Sequence, residues 1–516
     1  MGAKQSALEK SISAALGGDE SLYAFPGKPF YQAQYVKRYN LSIPLTPAAM
    51  TFPKTTAQVA AVIKCAVDAN VKVQARSGGH SYGNFGLGGV SGAVVIDLKN
   101  FQQFSMDHVT WQATAGAGTL LGDLQTRMHE AGNRAMAHGI CPQVGIGGHA
   151  TIGGLGPSSR LWGAALDHIE EVEIVLADST IKRCSATQNP DIFWAVKGAA
   201  ASFGVVTEFK LRTQPEPGEV VQFSYSFTVG SYASKAAVFK RWQSIIADPG
   251  LTRKFATKVV ITGIGMIISG TYFGSRAEYD AFDFESKLGG NPVATTVVFQ
   301  EWLGVLGHWA EDAALQFAGG LPTHFYSKTL TFSGATLIPD DVIDNFFAYL
   351  DEAQKGTPLI WFAIFSLAGG AVNDIAQNAT SYAHRDALFY LESYGISLGE
   401  VSRTTKDFIA GINTTITDGV PGVEDLGRYA GYVDPELPNG PQQYWRTNLP
   451  RLEQIKVAVD PSDVFYNPQS VRPAGSAGRL SKPLLGKLAK WRYFFGNKMR
   501  SRRQSGVKKT RLEEAM

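Results

Sequence analysis

Between residues 57 and 70 apolar positions recur at helical spacing, and Thr51-Phe-Pro-Lys-Thr-Thr supplies an entry into the predicted helix. The pattern then shortens. Val71-Lys-Val-Gln-Ala reads as a strand running into a glycine bend, and Gly92-Ala-Val-Val-Ile-Asp97 reads as another. A second unit follows, with Trp111-Gln-Ala-Thr-Ala as strand and residues 119–131 as helix. Val172-Glu-Ile-Val-Leu-Ala is strand-like, and Asn189-Pro-Asp-Ile-Phe-Trp-Ala-Val-Lys-Gly leads to Ala199-Ala-Ala-Ser-Phe-Gly204-Val-Val-Thr, a small-residue bend feeding a further strand.

After Thr213-Gln-Pro-Glu-Pro-Gly the texture changes. From residue 220 to about 427, aromatic and β-branched strands mix with amphipathic helices expected at 339–354 and 384–394, and glycine clusters thin out. The pattern predicts a separate α+β domain packed on the first. Pro450-Arg-Leu-Glu-Gln-Ile-Lys-Val-Ala-Val-Asp-Pro reads as a short helix, and Val464-Phe-Tyr-Asn-Pro-Gln469 closes the globular part. The boundaries that follow are 1–39 for an N-terminal segment, 40–215 and 216–427 for two domains, 428–473 for a return to the first, and 474–516 for a tail.

A length of 516 residues is ample for two domains, and 44% hydrophobic with 18% charged residues is ordinary for a soluble globular chain. No apolar run approaches the ~18–20 residues that cross a bilayer. The start of the chain has no secretory pattern, so an intracellular protein is expected. Three cysteines, Cys65, Cys141 and Cys184, are too few for a disulfide framework and have no zinc spacing, so no metal is expected. Three Asn-x-Ser/Thr sequons begin at Asn40, Asn378 and Asn413. The net charge of +3 is uneven: residues 474–516 carry twelve Lys or Arg against two Glu, leaving the rest net acidic.

Two segments carry chemistry. Arg76-Ser-Gly-Gly-His80-Ser-Tyr82-Gly and, 61 residues after that histidine, Gly139-Ile-Cys141-Pro-Gln-Val-Gly-Ile-Gly-Gly each set one nucleophile in a glycine-lined bend. An imidazole and a thiolate are the side chains able to add to an electrophilic redox cofactor, and glycines let backbone N–H groups approach a flat ligand. Taken singly, a Gly-Gly-His is usually a turn and a lone cysteine a small hydrophobe. Gly145-Ile-Gly147-Gly-His-Ala150 also satisfies a dinucleotide pattern, but Thr151-Ile-Gly-Gly-Leu-Gly-Pro-Ser-Ser after it cannot hold the helix such a site needs.

These two segments, Asn189-Pro-Asp-Ile-Phe-Trp194-Ala-Val-Lys-Gly and Phe465-Tyr-Asn-Pro-Gln-Ser stand in the order found in the berberine-bridge-enzyme-like FAD oxidases. Over residues 40–473 the chain resembles that family, nearest its fungal oligosaccharide-oxidase branch. The resemblance implies an α+β protein: a PCMH-type FAD-binding domain of two α/β subdomains, with a substrate domain whose antiparallel sheet is covered by helices. It implies bicovalent FAD, bonded by His80 at the 8α carbon and by Cys141 at C6. Arg76, Ser77, Gly78, Gly79, Ser81, Val144, Gly145, Gly147, Gly148, Gly204, Val206, Tyr466, Asn467 and Gln469 would bind the cofactor.

The same resemblance implies an alcohol oxidase, in which a base takes the hydroxyl proton as hydride leaves for the flavin. Tyr429, in Arg428-Tyr429-Ala-Gly-Tyr432-Val-Asp434, matches that base, with Tyr432 as alternative and a plain sheet role for both as the bland one. A phenol of pKa ~10 needs strong stabilisation to serve. Sugar oxidases of the family place an Asp where this chain has Ser366, whereas Glu392 matches a position at which relatives carry a catalytic Glu or Gln. Trp361 and Ser366 are the expected substrate contacts. Val144 matches the valine of oxygen-reactive members, implying O2 as acceptor and H2O2 as by-product. The substrate is a carbohydrate or related alcohol on the nearest-branch reading, or a specialised metabolite of a biosynthetic pathway on the departures. A non-catalytic flavin protein is a third reading.

Met1-Gly2-Ala-Lys-Gln-Ser6 fits an N-myristoylation pattern, and Leu484-Leu-Gly-Lys-Leu-Ala-Lys-Trp-Arg-Tyr-Phe-Phe with Lys498-Met-Arg-Ser-Arg-Arg is basic and amphipathic. One acyl chain plus a polybasic patch is enough for peripheral membrane contact, whereas a solvated tail is the plainer reading. A monomer with a small-molecule substrate and no nucleic-acid partner is expected.

Overall fold

A computed structural model describes residues 2–227, 231–317, 321–353 and 360–475. The first helical pattern becomes Thr56–Asp68, whose N-terminus is capped by the Thr55 hydroxyl accepting from the Gln58 N–H. Its Val59, Val62, Ile63 and Ala66 enter a core beside a four-stranded sheet ordered Tyr23–Ala24, Ala49–Thr51, Val94–Asp97 and Val73–Arg76. The last three strands are parallel. The helix Gly2–Ala15 adds buried Leu8, Ile12 and Leu16 to the same core, so the N-terminal segment is packed into the first body.

A five-stranded antiparallel sheet follows, ordered Phe104–Met106, Gln112–Gly116, Val205–Arg212, Ile169–Val175 and Ile181–Ser185. The helices Leu121–Glu130 and Pro190–Ala199 accompany it. The second body is built on a seven-stranded antiparallel sheet, ordered Val293–Phe299, Val220–Phe227, Gly265–Phe273, Phe255–Thr262, Ile360–Leu367, Ala387–Ser397 and His324–Ser333. One face of that sheet is covered by Tyr232–Ile246, Asp340–Ala353 and Arg403–Thr417, whose apolar sides form a second core around Phe239, Phe346, Phe365 and Ile409. Its other face looks toward the first body. The architecture is α+β, as the sequence predicts.

The chain then returns. Leu452 and Ile455 of the helix Leu449–Val459 pack with Trp194 and Phe203, and the Val73 N–H donates to the Val464 carbonyl at 2.9 Å. Lys456, fully buried, pairs with Asp460 at 2.6 Å and donates to the Ser202 and Phe465 carbonyls, so its charge is compensated on every side. Two buried arginines tie the bodies together. Arg385 grips Asp167 through two bonds of 2.8 Å, and Arg160 donates to the carbonyls of Phe255 and Ala368.

One predicted element is corrected. Residues 384–394, expected as an amphipathic helix, form most of the strand Ala387–Ser397. Phe389 faces the helix layer against Phe332 while Tyr390 faces the first body, so both sides are buried and the alternation that marks a strand is missing. Of the three sequon asparagines, Asn40 and Asn413 are buried and Asn378 is exposed. The basic stretch 476–516, with its predicted amphipathic segment, lies outside the described residues. Among the described residues, no helix is long and apolar enough to cross a membrane.

Candidate active site

The two glycine bends meet. A Cβ on Gly78 would collide with the Gly145 nitrogen and come within 2.7 Å of the Gln143 carbonyl, so the loops touch backbone to backbone. Gly79 has φ +78°, a conformation that glycine reaches without strain. The Cys141 loop is held along residues 119–122 by bonds from Leu121 N–H to the Val144 carbonyl, Gly122 N–H to the Pro142 carbonyl and Ile146 N–H to the Thr119 carbonyl. The Ser77 hydroxyl donates to the Ala117 carbonyl at 2.7 Å. Arg76, half-buried beneath the first loop, faces Asp97 at 3.5 Å and donates to the carbonyls of Tyr35 and Val36.

Both loops line one cavity of about 450 Å³ between the first body and the open face of the seven-stranded sheet. His80 and Cys141 stand on its wall, with Ser77, Gly78, Gly79, Ser81, Val144, Gly145 and Gly148 around them. The return segment adds Asn467 and Gln469, and the turn holding Tyr429 and Tyr432 completes that side. From the sheet come Glu392, Ser366 and Lys258. The wall suits a flat, extended ligand: it is backbone and small side chains along 77–79, 145 and 199–202, and a Cβ on Gly148 would point into open space. The His80 ring lies 4.8 Å from the Tyr39 ring in a tilted arrangement, and burial pushes its pKa down to about 4, so the imidazole is neutral at pH 7 and has a free lone pair. Burial and the Glu392 carboxyl push the Cys141 thiol up, with Lys258 opposing.

Glu392 is fully enclosed and accepts a 2.7 Å bond from the Tyr82 hydroxyl. Burial raises its pKa to about 7 despite that bond, a value suited to proton transfer at neutral pH. Tyr429 and Tyr432 do not lie in a strand: they close a turn in which the Tyr432 N–H donates to the Tyr429 carbonyl at 3.0 Å. The Tyr429 hydroxyl accepts from the Gly154 N–H at 2.9 Å, yet burial pushes its pKa up to about 12. Tyr432 is raised as well, by burial and by Glu392. At pH 7 both phenols are therefore neutral.

Several expected contacts fall elsewhere. Trp361 is buried in the second core against Phe408, on the helix side of its strand, so it does not face the cavity; its neighbours Ile364 and Ser366 do. Gly204, just before the strand Val205–Arg212, and Val206 within it pack against Ile174 and Val175, away from the cavity wall. Gly147 is packed on the Ala117 carbonyl and Ser77, where it allows the loop to close rather than facing the cavity. Tyr466 lies outside the wall between Lys72 and Arg472. The sequence reading passed over Tyr39, Tyr82 and Lys258. Tyr82 stands within the quoted glycine motif, and Lys258 is a charge amid the apolar strand Phe255–Thr262, which was its one visible signal.

Residues 47–185 match the family model "FAD binding domain" and residues 428–472 match "Berberine and berberine like". The FAD-linked oxidoreductase sorD of Penicillium rubens is 41% identical over 472 residues, covering 91% of this chain and 99% of that protein. The xylooligosaccharide oxidase of Myceliophthora thermophila C1, solved with xylobiose, superposes with a TM-score of 0.82 at 30% identity, covering 91% of this chain and 99% of that one. A structure of glucooligosaccharide oxidase from Acremonium strictum, described as bearing a 6-S-cysteinyl, 8α-N1-histidyl FAD, gives a TM-score of 0.81 at 29% identity, covering 90% and 99% of the two chains. With four-tenths identity to one relative over nearly its whole length, and both family models matched across the cavity wall, the chain belongs to the berberine-bridge-enzyme-like FAD-linked oxidoreductases of PCMH-type fold.

Proposed function

We propose that this protein is an oxidase with flavin bonded to both His80 and Cys141, in which Glu392 takes the proton from a substrate hydroxyl. The observation that carries the reading is the meeting of a neutral imidazole and a thiol in two touching glycine loops, on a cavity that also holds a carboxyl poised near neutrality. The flavin, when bound, supplies the hydride acceptor and passes the electrons to O2, giving H2O2. Arg76, Ser77, Gly78, Gly79, Ser81, Gly145, Gly148, Asn467 and Gln469 would hold it, on a cofactor domain of residues 40–215 with 428–473. Residues 216–427 form the substrate domain over it. Val144, small and half-buried on the wall, leaves room for O2 beside the reacting centre.

Glu392 is favoured as base because its pKa lies five units below that of Tyr429, so at neutral pH a large fraction is already ionised. Tyr82 fixes the carboxyl by its hydrogen bond. Tyr429 and Tyr432 act as neutral hydroxyls that orient the substrate. The substrate is a small hydroxyl compound, a carbohydrate by kinship to the oligosaccharide oxidases. Ser366, a residue without charge on the wall, favours a second reading, a specialised metabolite, as does a relative at 41% identity that is not named for a sugar.

Peroxide release from cello-, malto-, xylo- and chito-oligosaccharides and from a panel of aromatic and aliphatic alcohols tests this. Turnover of at least one class is expected, falling about 100-fold or more in Glu392→Gln. Silence on every sugar with turnover of another alcohol selects the second reading. A flavin that stays oxidised with all of them contradicts both.

A further inference from the structure

Tyr390 stands on the open face of the seven-stranded sheet, two residues before Glu392 on the same strand, so their side chains leave one face about 7 Å apart. The register sets Ser366 beside Tyr390 on one neighbouring strand and Thr331 on the other, and the row runs on from Ser366 to Lys258. Its ring is packed by the turn that closes the cavity, with Tyr429 at 5.7 Å and Tyr432 at 6.4 Å. Tyr390, Glu392, Tyr429 and Tyr432 all line the cavity.

The Tyr390 hydroxyl is backed from outside that wall. It lies 3.0 Å from the hydroxyl of Tyr382, a buried residue that does not line the cavity. Tyr382 is fixed there: its N–H donates to the Lys197 carbonyl, and the Arg385 guanidinium lies 4.8 Å over its ring. Burial pushes both phenols up, so each keeps its proton at neutral pH. One bond between two hydroxyls uses one of the two protons, and the other needs an acceptor elsewhere. Among the described residues, the Tyr390 oxygen is the one hydrogen-bond partner of the Tyr382 hydroxyl, and only Tyr390 of the pair faces space for a ligand. Satisfying both groups makes Tyr382 the donor and leaves the Tyr390 proton to point into the cavity. Tyr429 is arranged alike, since its oxygen accepts from the Gly154 N–H and its own proton remains to be given.

We infer that Tyr390, positioned by Tyr382, is a catalytic hydrogen-bond donor to the substrate oxygen whose proton Glu392 removes. This rests on the proposed reading of Glu392 as the base. In that step the substrate O–H bond breaks, its proton passes to the Glu392 carboxylate, and the carbon gives up hydride to the flavin as its C–O bond becomes a carbonyl. Negative charge grows on the oxygen until the hydride has left. Tyr390 and Tyr429 meet that charge with hydroxyl protons that they keep throughout. A donor aimed at developing charge lowers the barrier more than it tightens substrate binding.

Tyr390→Phe, Tyr382→Phe and the double variant test this as purified holoenzymes, with flavin content and thermal unfolding measured beside rates on the alcohol that the peroxide screen returns. Tyr390→Phe should lower kcat about 100-fold while KM changes less than about threefold. Tyr382→Phe should lower kcat about tenfold, and the double variant should be no slower than Tyr390→Phe, because Tyr382 acts through Tyr390. A kcat for Tyr390→Phe close to the parent's overturns the inference, and so does a double variant slowed by the product of the two single losses. A binding probe needs no turnover and decides alone if no alcohol is oxidised. At pH 6 Glu392 is mostly protonated and pentafluorophenol mostly ionised. Calorimetry should show the phenolate bound about tenfold or more tightly by the parent than by Tyr390→Phe, with pentafluoroanisole bound equally by both. Equal phenolate binding overturns the inference. Should Tyr390→Phe give no folded holoenzyme, Tyr382→Phe decides, and phenolate binding as tight as the parent's overturns it there. Full activity of Glu392→Gln together with Tyr390-dependent phenolate binding upholds the donor and overturns the base assignment instead.

Discussion

Burial moves Glu392 and His80 in opposite directions along the pH axis, because each is held in its uncharged form. For Glu392 the folded pKa is about 7 against an ordinary 4.5. Acting as a base, it gains activity as pH rises through 7, and kcat/KM should follow that limb; in Glu392→Gln the residual rate should lose it. The stability sign is the reverse. The folded protein holds the extra proton between pH 4.5 and 7, so stability is full below that window and falls as pH rises through it. Glu392→Gln should therefore be more stable than the parent by about 3 kcal/mol at pH 8 and little different at pH 4.5, read from urea unfolding at the two pH values. Equal stabilities at pH 8 would contradict the buried-carboxyl account. Stability given up at a reacting group is a common exchange for function.

The glycine loops and the sheet strands do their work as elements. Gly78 and Gly148 both line the cavity, but an added methyl meets backbone at the first and nothing at the second. Gly78→Ala should cost about 1–3 kcal/mol by overpacking. Gly148→Ala should leave thermal unfolding of flavin-free protein unchanged while lowering flavin content, because its methyl points into the space a ligand would fill. Absorbance per mole of protein beside the unfolding curves checks both; a Gly148→Ala protein with full flavin would contradict the backbone-contact argument. These loops were legible in the sequence, since nucleophile-in-glycine segments advertise themselves by composition and order. Ala387–Ser397 was not, because a strand buried on both faces has no polar alternation and its Leu, Phe and Tyr run equally well at helical spacing. Trp361 was misassigned for a related reason. Sequence names a strand's residues but not which face looks outward, and here the even positions, Ile364 and Ser366, face the cavity. Lys258 stayed hidden because its meaning comes from the neighbouring strands Gly265–Phe273 and Ile360–Leu367, which sequence does not align with it.

At the scale of the whole molecule, two bodies and a returning segment enclose one cavity, and the joints between them are buried polar groups. His138, His168 and His384 are buried and His149 is half-buried on the cavity wall, and burial depresses each of the four, to about 4 for the first three and about 3 for His149. Unfolding exposes imidazoles of ordinary pKa, so the unfolded chain binds more protons below about 6.5. Their contribution is fully present above that pH and is lost as pH falls toward 4, a decline of several kcal/mol when all four act together. The urea midpoint should drop steeply between pH 6.5 and 4.5; a flat profile would mean that these rings are not enclosed in neutral form. The central claim, that one flavin joins two loops of the first body, has a more direct test in peptide mapping by mass spectrometry. Digestion of the denatured protein should yield one flavin-bearing species that contains both the His80 peptide and the Cys141 peptide, and Cys141→Ser should leave the flavin on the His80 peptide alone. Recovery of both peptides at their unmodified masses from the yellow protein would contradict the account.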